Sequence, residues 1–559
     1  MVKRWFSFIG QEIRGLHEAA YLLGAFAALS LVLAIIRDKL LAYTFGAGHA
    51  LDVYYAAFRI PDLLFATVGS LVAASILLPY FIDRFERSDE AGKAFSDGIF
   101  TVYFFLMAFS AAVVFLIAPW LVPKAIPGFA TDPALPTLVA AMRIMLLSPF
   151  FLGLSNLYSS LTQMHHRFLV YAASPVVYNA GIILGVLVGY PMFGIPGLAM
   201  GVAAGAFLHM GIQLPFLLHE RLVPRFTLKI HWPDVRKVML TTLPRTITLS
   251  ANQLASFALI ALASYMAVGS ISVFNFAFNL QSVPLTLIGA SYSSAVFPTL
   301  SRMLFKGHIA EFKAKMIASA EHIIFWSMPL TVLFIVLRAQ IVRTLLGAGK
   351  FDWADTRLTA AMLALFTVST IGQSLIVLFV RSFYAEGKTA RPLLINAISA
   401  SIIVISGYLL DKAFFAYPMF RWFLEDLLKV DGQVGTSVLV LALAYTIGVI
   451  VNTFLHWWVY ERVYHGFTKP VFATLFQTFA ASVIMGYASY LSLRIFAAVF
   501  PLTKVWGVFL QGFCAGLIGI VVLVITLVIL GNRQLVDVWQ TLHHKVWKVS
   551  VPPAEVEHM

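Results

Sequence analysis

Ionisable side chains are concentrated between residues 37 and 62 of this 559-residue sequence, in a stretch that is otherwise mostly apolar. The candidates among them are Arg37, Asp38, Asp52, Arg59 and Asp62. Ionised groups in apolar surroundings are costly, so those that persist normally face a cavity or a partner. A guanidinium in an apolar cavity can grip a phosphate through two parallel hydrogen bonds, the geometry that a pyrophosphate-linked substrate offers. The arginines are therefore candidate substrate-binding residues and the aspartates candidate orienting or gating residues; the alternative is a network that only ties the first two helices together.

The composition places these residues in a membrane protein. Of all residues, 60% are hydrophobic and 12% are charged, whereas soluble domains are about 45–50% apolar and about 25% charged. The net charge of +13 comes from basic residues in the short gaps between apolar runs, so it indicates membrane topology and no nucleic-acid partner. The predicted fold class is an all-α polytopic membrane protein.

Runs of about 18 or more mostly apolar residues predict the membrane-spanning helices. There are about fourteen such runs. They cover residues 19–45, 51–82, 96–123, 136–164, 168–190, 194–218, 240–267, 273–303, 320–346, 358–384, 392–411, 435–461, 470–498 and 505–531.

The distribution of Lys and Arg predicts the topology. With the N-terminus in the cytoplasm, about 23 basic residues fall on the cytoplasmic side and about 9 on the other, the bias expected from the positive-inside rule. Both termini are therefore predicted to be cytoplasmic. The segments 1–18, 418–430 and 533–548 mix aromatic and charged residues, as helices lying at the membrane surface do.

An internal repeat indicates the architecture. Residues 52–69 align without gaps with 272–289 at an offset of 220, and residues 174–180 align with 391–397 at an offset of 217. Each pair is about six helices apart, so its members cross the membrane in the same direction and the repeat is parallel. Two lobes of about six helices enclosing a central cavity, with two extra C-terminal helices, are typical of transporters.

The predicted organisation follows from the repeat and the spans. It comprises an interfacial N-terminal helix at 1–18, an N-terminal lobe (helices 1–6) at 19–218, a cytoplasmic linker at 219–239, a C-terminal lobe (helices 7–12) at 240–461, helices 13 and 14 at 470–531, and a cytoplasmic tail at 532–559.

Further polar residues inside predicted helices are candidates for the same cavity. Arg143 lies in helix 4 with no acidic residue within a turn, so it would either snorkel or bind. Arg245 opens helix 7, and helix 8 contributes the amides Asn275, Asn279 and Gln281. Such amides would hydrogen-bond a sugar or peptide, or serve as glue between membrane helices.

Catalysis, cofactors and metals find no support in the sequence. No apolar segment contains a closely spaced acidic pair that could hold Mg²⁺. The sequence also has no HExxH or GxSxG string and no Walker A motif. The single cysteine, Cys514, cannot form a disulfide within the chain. A non-enzymatic transporter without a cofactor is therefore expected, driven by a coupling ion, the membrane potential or the substrate's own gradient.

Several strings resemble the MurJ (MviN) family, the lipid II flippases of bacterial cell-wall synthesis within the multidrug/oligosaccharidyl-lipid/polysaccharide exporter group. The N-terminal signature is matched by IIRDKLLAYTFGAGHALDVYYAAFRIPDLL at 35–64. Further matches are APWLVPKAIPGF at 118–129, FNFAFNLQSVPLTLIGASYSSAVFPTLSR at 274–302, GAGKFDWADT at 347–356 and VRSFYAEGKTARP at 380–392. The resemblance covers nearly the whole chain and fits the family's fold of about fourteen helices.

The resemblance implies a function and places some family residues. It implies that undecaprenyl-pyrophosphoryl disaccharide-pentapeptide moves from the cytoplasmic to the outer leaflet of the bacterial inner membrane, through a cationic cavity, by alternating access. The family's RD pair falls on Arg37 and Asp38, and the acidic residue after the GAG turn falls on Asp52. The basic residue of the F-K/R-x-P string falls on Arg59.

Two positions depart from the family pattern. The cavity arginine after the LPNLL-like string falls on Phe65, and the helix 8 arginine falls on Asn279. Either Arg245 and Arg59 substitute for these charges, or the substrate is a related lipid-linked glycan. The alternative functions are an exporter of another polyprenyl-linked oligosaccharide, a drug exporter, for which acidic cavity residues would serve better, or a non-transporting membrane scaffold.

Overall fold

The computed structural model describes residues 16–165 and 167–546, and no strand occurs in those two stretches. The α-helices are numbered here in chain order. They are α1 (Leu16–Phe45), α2 (His49–Ala57), α3 (Arg59–Thr67), α4 (Ala74–Arg87), α5 (Asp89–Ala125), α6 (Leu135–Met145), α7 (Leu147–Met164), α8 (Phe168–Leu184), α9 (Tyr190–Phe193), α10 (Ile195–Gly211), α11 (Leu214–His219), α12 (Trp232–Ala263), α13 (Ser270–Pro284), α14 (Ser291–Phe305), α15 (Ile309–Val336), α16 (Arg338–Leu345), α17 (Trp353–Val368), α18 (Thr370–Ala385), α19 (Ala390–Ala416), α20 (Pro418–Leu428), α21 (Leu439–Tyr464), α22 (Thr468–Ala497), α23 (Val505–Ile529) and α24 (Arg533–Val546).

The predicted all-helical, polytopic class is confirmed. By length and composition, 11 helical segments of the described residues could cross a membrane, or up to 12 if α17 and α18 form one span. The count of fourteen is not confirmed. The first predicted span, 19–45, coincides with the 30-residue helix α1, which does not belong to those 11 segments.

The predicted continuous helix at 51–82 is wrong. This segment comprises α2, α3, a 3₁₀ turn at Gly69–Val72 and α4. Pro61 has no N–H to donate to the carbonyl four residues earlier, which weakens the helix at the α2–α3 junction. Ala73 has extended backbone, with φ −60° and ψ 130°, and ends the 3₁₀ turn before α4 begins. The breaks place Arg59 at the first position of α3.

Other predicted boundaries are shifted. The helix predicted at 240–267 begins earlier, at Trp232, and the helix predicted at 358–384 is divided at Ser369 between α17 and α18. The cytoplasmic linker at 219–239 stays a prediction. A helix is present at Pro418–Leu428, where an interfacial helix was expected. The predicted N-terminal helix at 1–18 lies almost entirely outside the described residues, as does the end of the tail.

The helices form two compact units. The first comprises the described residues up to Leu280 together with Leu345–Phe366 and Lys388–Asn452. The second comprises Gln281–Thr344, Thr367–Gly387 and the described residues from Thr453 onward; its core contains buried aromatic side chains such as Phe312, Phe379 and Tyr460. These units differ from the predicted lobes, whose boundaries stay a prediction.

Close packing of glycines in the first unit fixes the position of α8. Glycines recur every four residues, at Gly181 in α8 and Gly185 at the start of the π-helical turn that follows it, and at Gly201 and Gly205 in α10. A Cβ atom added at Gly201 would lie 2.4 Å from the Cα of Gly185, so the two backbones touch. Small residues at this spacing allow close approach of membrane helices, whose association depends on van der Waals contact.

We expect Gly201→Ala to destabilise the protein by about 1–3 kcal/mol, because the helices must separate to admit the methyl group. The matched control is Gly98→Ala in α5, where an added Cβ meets no atom within 4 Å. In that open position alanine should be neutral or stabilise the helix by up to about 1 kcal/mol. Thermal unfolding of both purified variants in detergent measures the difference, and equal melting temperatures would contradict the packing argument.

Candidate substrate-binding cavity

A cavity of about 290 Å³ lies within the first unit, among α1, α2, α3, α8, α12 and α13. Its walls include tyrosine and phenylalanine rings from α2, α8 and α13. The charged and amide side chains that line it are Arg37, Arg59, Asp62, Gln253, Asn275 and Asn279. The two arginines, Asp62 and Asn279 were predicted to share one site, and the structure brings them together.

Arg37 is the centre of a hydrogen-bond network that joins α1 to α8 and α13. Its Nε donates to Asp38 Oδ1 at 2.9 Å, and its Nη1 donates to Asn179 Oδ1 of α8 at 3.0 Å. Asp38 also accepts a bond from Asn279 Nδ2 of α13, at 3.1 Å. With 20% of its side chain exposed, the guanidinium is oriented by these contacts and remains accessible from the cavity. These hydrogen bonds reach α8 and α13, whereas the alternative interpretation placed the network between the first two predicted helices.

Arg59 is more deeply buried than Arg37, with an exposed fraction of 8%. Its Nη2 donates to Asn275 Oδ1 of α13. Its Nε is buried and has no hydrogen-bond partner among the described residues. A guanidinium with an unpaired N–H inside a low-dielectric cavity favours the entry of an anionic acceptor.

Asp52 does not line the cavity and instead caps helix α13. Its Oδ2 accepts the backbone N–H of Gly269 at 2.6 Å, and its Oδ1 accepts the N–H and hydroxyl of Ser272 at 2.8 and 2.6 Å. Free N–H groups at a helix start favour a carboxylate. Gly269 has φ +91°, and a Cβ there would lie 2.1 Å from the Ala47 carbonyl oxygen, so only glycine permits this close approach.

Helix α13 thus presents one polar face to the helices that precede it. Ser272, Asn275 and Asn279 follow one another at spacings of three and four residues, which places them on one side of an α-helix. They contact Asp52, Arg59 and Asp38 respectively. Since Asp52 and Ser272 are equivalent in the sequence repeat, their direct contact indicates that the repeat axis passes close to them.

The remaining predicted residues have other positions. The side chain of Arg245 lies outside the described part of the structure, so its proposed compensating role stays a prediction. Phe65 is not among the cavity-lining residues. Gln281 accepts a hydrogen bond from Gln373 at 3.0 Å within the second unit, the helix–helix glue that was the alternative for such amides.

Sequence reasoning missed two kinds of residue at this site. Asn179, the hydrogen-bond partner of Arg37, was noted only as a repeat match to Asn396, although that match marks a position with a shared role: Asn396 also accepts a hydrogen bond, from Asn452 at 2.8 Å. The rings of Tyr54, Tyr55 and Tyr178, which line the cavity, resemble ordinary helix residues in the sequence, and no spacing distinguishes them.

The fold and the cavity define a multi-pass membrane transporter, and the comparisons identify the family. The model of the family "Lipid II flippase MurJ" matches residues 41–510. The Burkholderia cenocepacia protein named lipid II flippase MurJ is 28% identical over 402 residues, which cover 70% of this chain and 78% of that protein. The chain therefore belongs to the MurJ family.

Solved structures show the same fold. A lipid II flippase MurJ in an inward closed conformation matches with a TM-score of 0.72 at 20% identity, over 91% of this chain and 98% of that one. An inward-facing MATE-family multidrug resistance transporter of the MOP superfamily matches with a TM-score of 0.62 at 13% identity, over 79% of this chain and 96% of that one.

Replacing Asp52 tests the cap of α13. Asp52→Asn retains one acceptor oxygen and loses the charge, so we expect a loss of about 1–3 kcal/mol of stability, because buried N–H groups are left unpaired. Asp431→Asn is the matched control, since Asp431 is exposed. The melting temperatures of the purified variants measure the effect. An unchanged melting temperature for Asp52→Asn would show that the cap does not stabilise the fold.

Proposed function

We propose that this chain is a lipid II flippase, which carries the undecaprenyl-pyrophosphate-linked peptidoglycan precursor from the cytoplasmic to the outer leaflet. The observation that carries the proposal is the placement of Arg37 and Arg59 in one aromatic-lined cavity of a MurJ-family chain. A pyrophosphate presents several anionic oxygens, and guanidinium groups bind such oxygens in pairs. Asn179 and Asn275 accept hydrogen bonds from Arg37 and Arg59 respectively and leave part of each guanidinium for the substrate.

The carboxylate of Asp62 limits how much negative charge a ligand can bring into the cavity. It lines the same cavity as the arginines and forms no ion pair within 4.0 Å with the side chains that the structure describes. A carboxylate in the cavity repels a negatively charged ligand unless the arginines compensate the charge of that ligand. The role we assign to Asp62 is therefore gating, by pairing with Arg59 when the pyrophosphate leaves.

The membrane placement is part of the same proposal. The chain is a multi-pass membrane protein, and we place it in the bacterial inner membrane with both termini in the cytoplasm, as the Lys and Arg distribution favours. Surrounding membrane lipids and lipid II are its partners. Transport would draw on a coupling ion, the membrane potential or the gradient of the substrate itself.

Complementation tests substrate and site together. In a bacterium depleted of its own lipid II flippase, the wild-type chain should restore growth, while Arg37→Ala and Arg59→Ala, expressed to equal levels, should not. Loss of one charge-assisted hydrogen-bonded pair lowers binding by about tenfold or more. Arg302→Gln is the control, because Arg302 is exposed. Full rescue by both alanine variants would contradict the cationic site.

The outcome for the wild-type chain separates the remaining candidates. Failure of a well-expressed, membrane-inserted wild type would favour a related polyprenyl-linked glycan, a possibility raised by the loss of the family charges at Phe65 and Asn279. The same failure would also fit a scaffold that transports nothing, whereas rescue by the wild type and by every arginine variant would show that lipid II moves without these arginines.

Contacts on both sides of Arg59 support alternating access. Before Arg59 in the sequence, Asp52 accepts a hydrogen bond from the backbone at the start of α13. After it, Ser70 and Thr246 of α12 form a buried hydroxyl pair at 2.9 Å, and Arg84 forms an ion pair with Asp234 of α12. In the proposed topology the first contact closes the outer side of the cavity, and the other two close the cytoplasmic side.

A reversible crosslink tests the cytoplasmic closure. In a Cys514→Ala background, Ser70→Cys with Thr246→Cys places two thiols where the hydroxyls are 2.9 Å apart, close enough for a disulfide. Oxidation should stop flipping in proteoliposomes, and reduction should restore it, as measured by the access of an externally added hydrolase to labelled lipid II. Each single-cysteine variant is a control. Undiminished flipping by the crosslinked protein would show that these helices need not separate.

A further inference from the structure

A second cavity lies in the first unit, away from the arginines of the substrate cavity. It is a groove of about 620 Å³ between α5 and the helices α6 and α7. Its lining side chains are apolar apart from one cation, Arg143. Ala108, Ala111 and Ala112 leave space along α5, whereas Phe150 and Phe151 of α7 form the opposite side.

Arg143 is held in place by a defect in α5. Pro119 lies inside this helix and has no N–H to donate to the carbonyl of Phe115 four residues earlier. Arg143 Nε donates to that carbonyl oxygen at 2.9 Å. The guanidinium also lies over the Phe115 ring, 4.5 Å from its centroid. Two contacts to one residue therefore fix the orientation of the guanidinium.

The rest of the guanidinium is available for a ligand. Its two terminal amino groups have no hydrogen-bond acceptor among the described residues, because the Nε bond to Phe115 is the one polar contact that Arg143 makes with them. A cation against apolar walls in a membrane-spanning region is costly unless an anion accompanies it. A fixed, charged and unsatisfied guanidinium is the arrangement that binds a phosphate through two parallel hydrogen bonds.

The C-terminal end of α5 carries an aromatic residue and a cation beyond the groove. Leu116 lines the groove, and Trp120 and Lys124 follow it at spacings of four residues, about one helical turn each. The Lys124 ammonium lies 3.7 Å from the centroid of the Trp120 ring, which is 62% exposed. A paired Trp and Lys at a helix end is typical of the lipid headgroup region. An apolar groove that leads to two cations matches a lipid with an anionic head.

We propose that this groove binds an anionic phospholipid of the surrounding membrane. One acyl chain occupies the space beside the three alanines, and the headgroup phosphate accepts hydrogen bonds from Arg143. The site is independent of the substrate cavity, since it shares no lining residue with it. Bound lipid would stabilise the contact between α5 and α6.

Native mass spectrometry of the purified full-length chain tests this site. Phosphatidylglycerol and phosphatidylcholine with identical acyl chains are titrated into wild type, Arg143→Gln, Ala112→Phe and Arg494→Gln. We expect one tight phosphatidylglycerol in the wild type, and an affinity at least about tenfold lower in Arg143→Gln, because a bidentate charged pair is lost. Ala112→Phe should weaken binding similarly by filling the groove, and since Ala112 is exposed the new ring meets no tight packing.

Arg494→Gln is the matched control for the removal of a charge. Arg494 also lies near an aromatic ring, 5.0 Å from the Tyr490 centroid, but belongs to α22 in the second unit, so its replacement should leave phosphatidylglycerol binding unchanged. Equal affinity in wild type and Ala112→Phe, or equal binding of the two phospholipids, would overturn the proposal. So would tight binding of undecaprenyl phosphate that phosphatidylglycerol cannot displace, because it would assign the groove to a polyprenyl lipid.

Discussion

The candidate site depends on one interaction: the polar face of α13 supplies hydrogen bonds to charged side chains of the first helices. Asp38, Asp52 and Arg59 each contact a different residue of this face. Buried charges without partners would destabilise the fold by several kcal/mol each. Ser272, Asn275 and Asn279 remove that cost, and in doing so they fix the position of α13 against α1 and α3.

The choice of neutral partners has a functional consequence. A carboxylate paired with Arg59, as Asp38 is paired with Arg37, would compensate its charge and weaken its attraction for an anion. Amide oxygens compensate part of the lost hydration but leave the positive charge in place. Arg37 donates hydrogen bonds to one carboxylate and to one amide oxygen. Arg59 donates to an amide oxygen through Nη2, and its Nε is unpaired. This arrangement fits the pyrophosphate site that we propose.

Interruptions in the helices position the side chains of the proposed sites as much as the regular helices do. The interruption at Phe58 brings Arg59 to the start of α3, and the 3₁₀ turn before α4 brings Ser70 to Thr246. In α5, Pro119 frees the carbonyl that orients Arg143. At each break the regular helical hydrogen bonding is interrupted. A charged or hydroxyl side chain then forms a new contact at the interruption.

Sequence alone determined the class of the molecule and much of the site's membership. Composition and apolar run length require a polytopic helical protein, because neither depends on how the helices pack. The RD pair, Asp52 and Arg59 stood out because ionised residues are rare in apolar runs. Tertiary structure decided which partners these residues have: Asp52 caps a helix 217 residues away in the chain, and Arg37 bonds Asn179, 142 residues away. Such pairings arise from helix packing across long separations, and a local pattern contains no information about the rotation or depth of two distant helices.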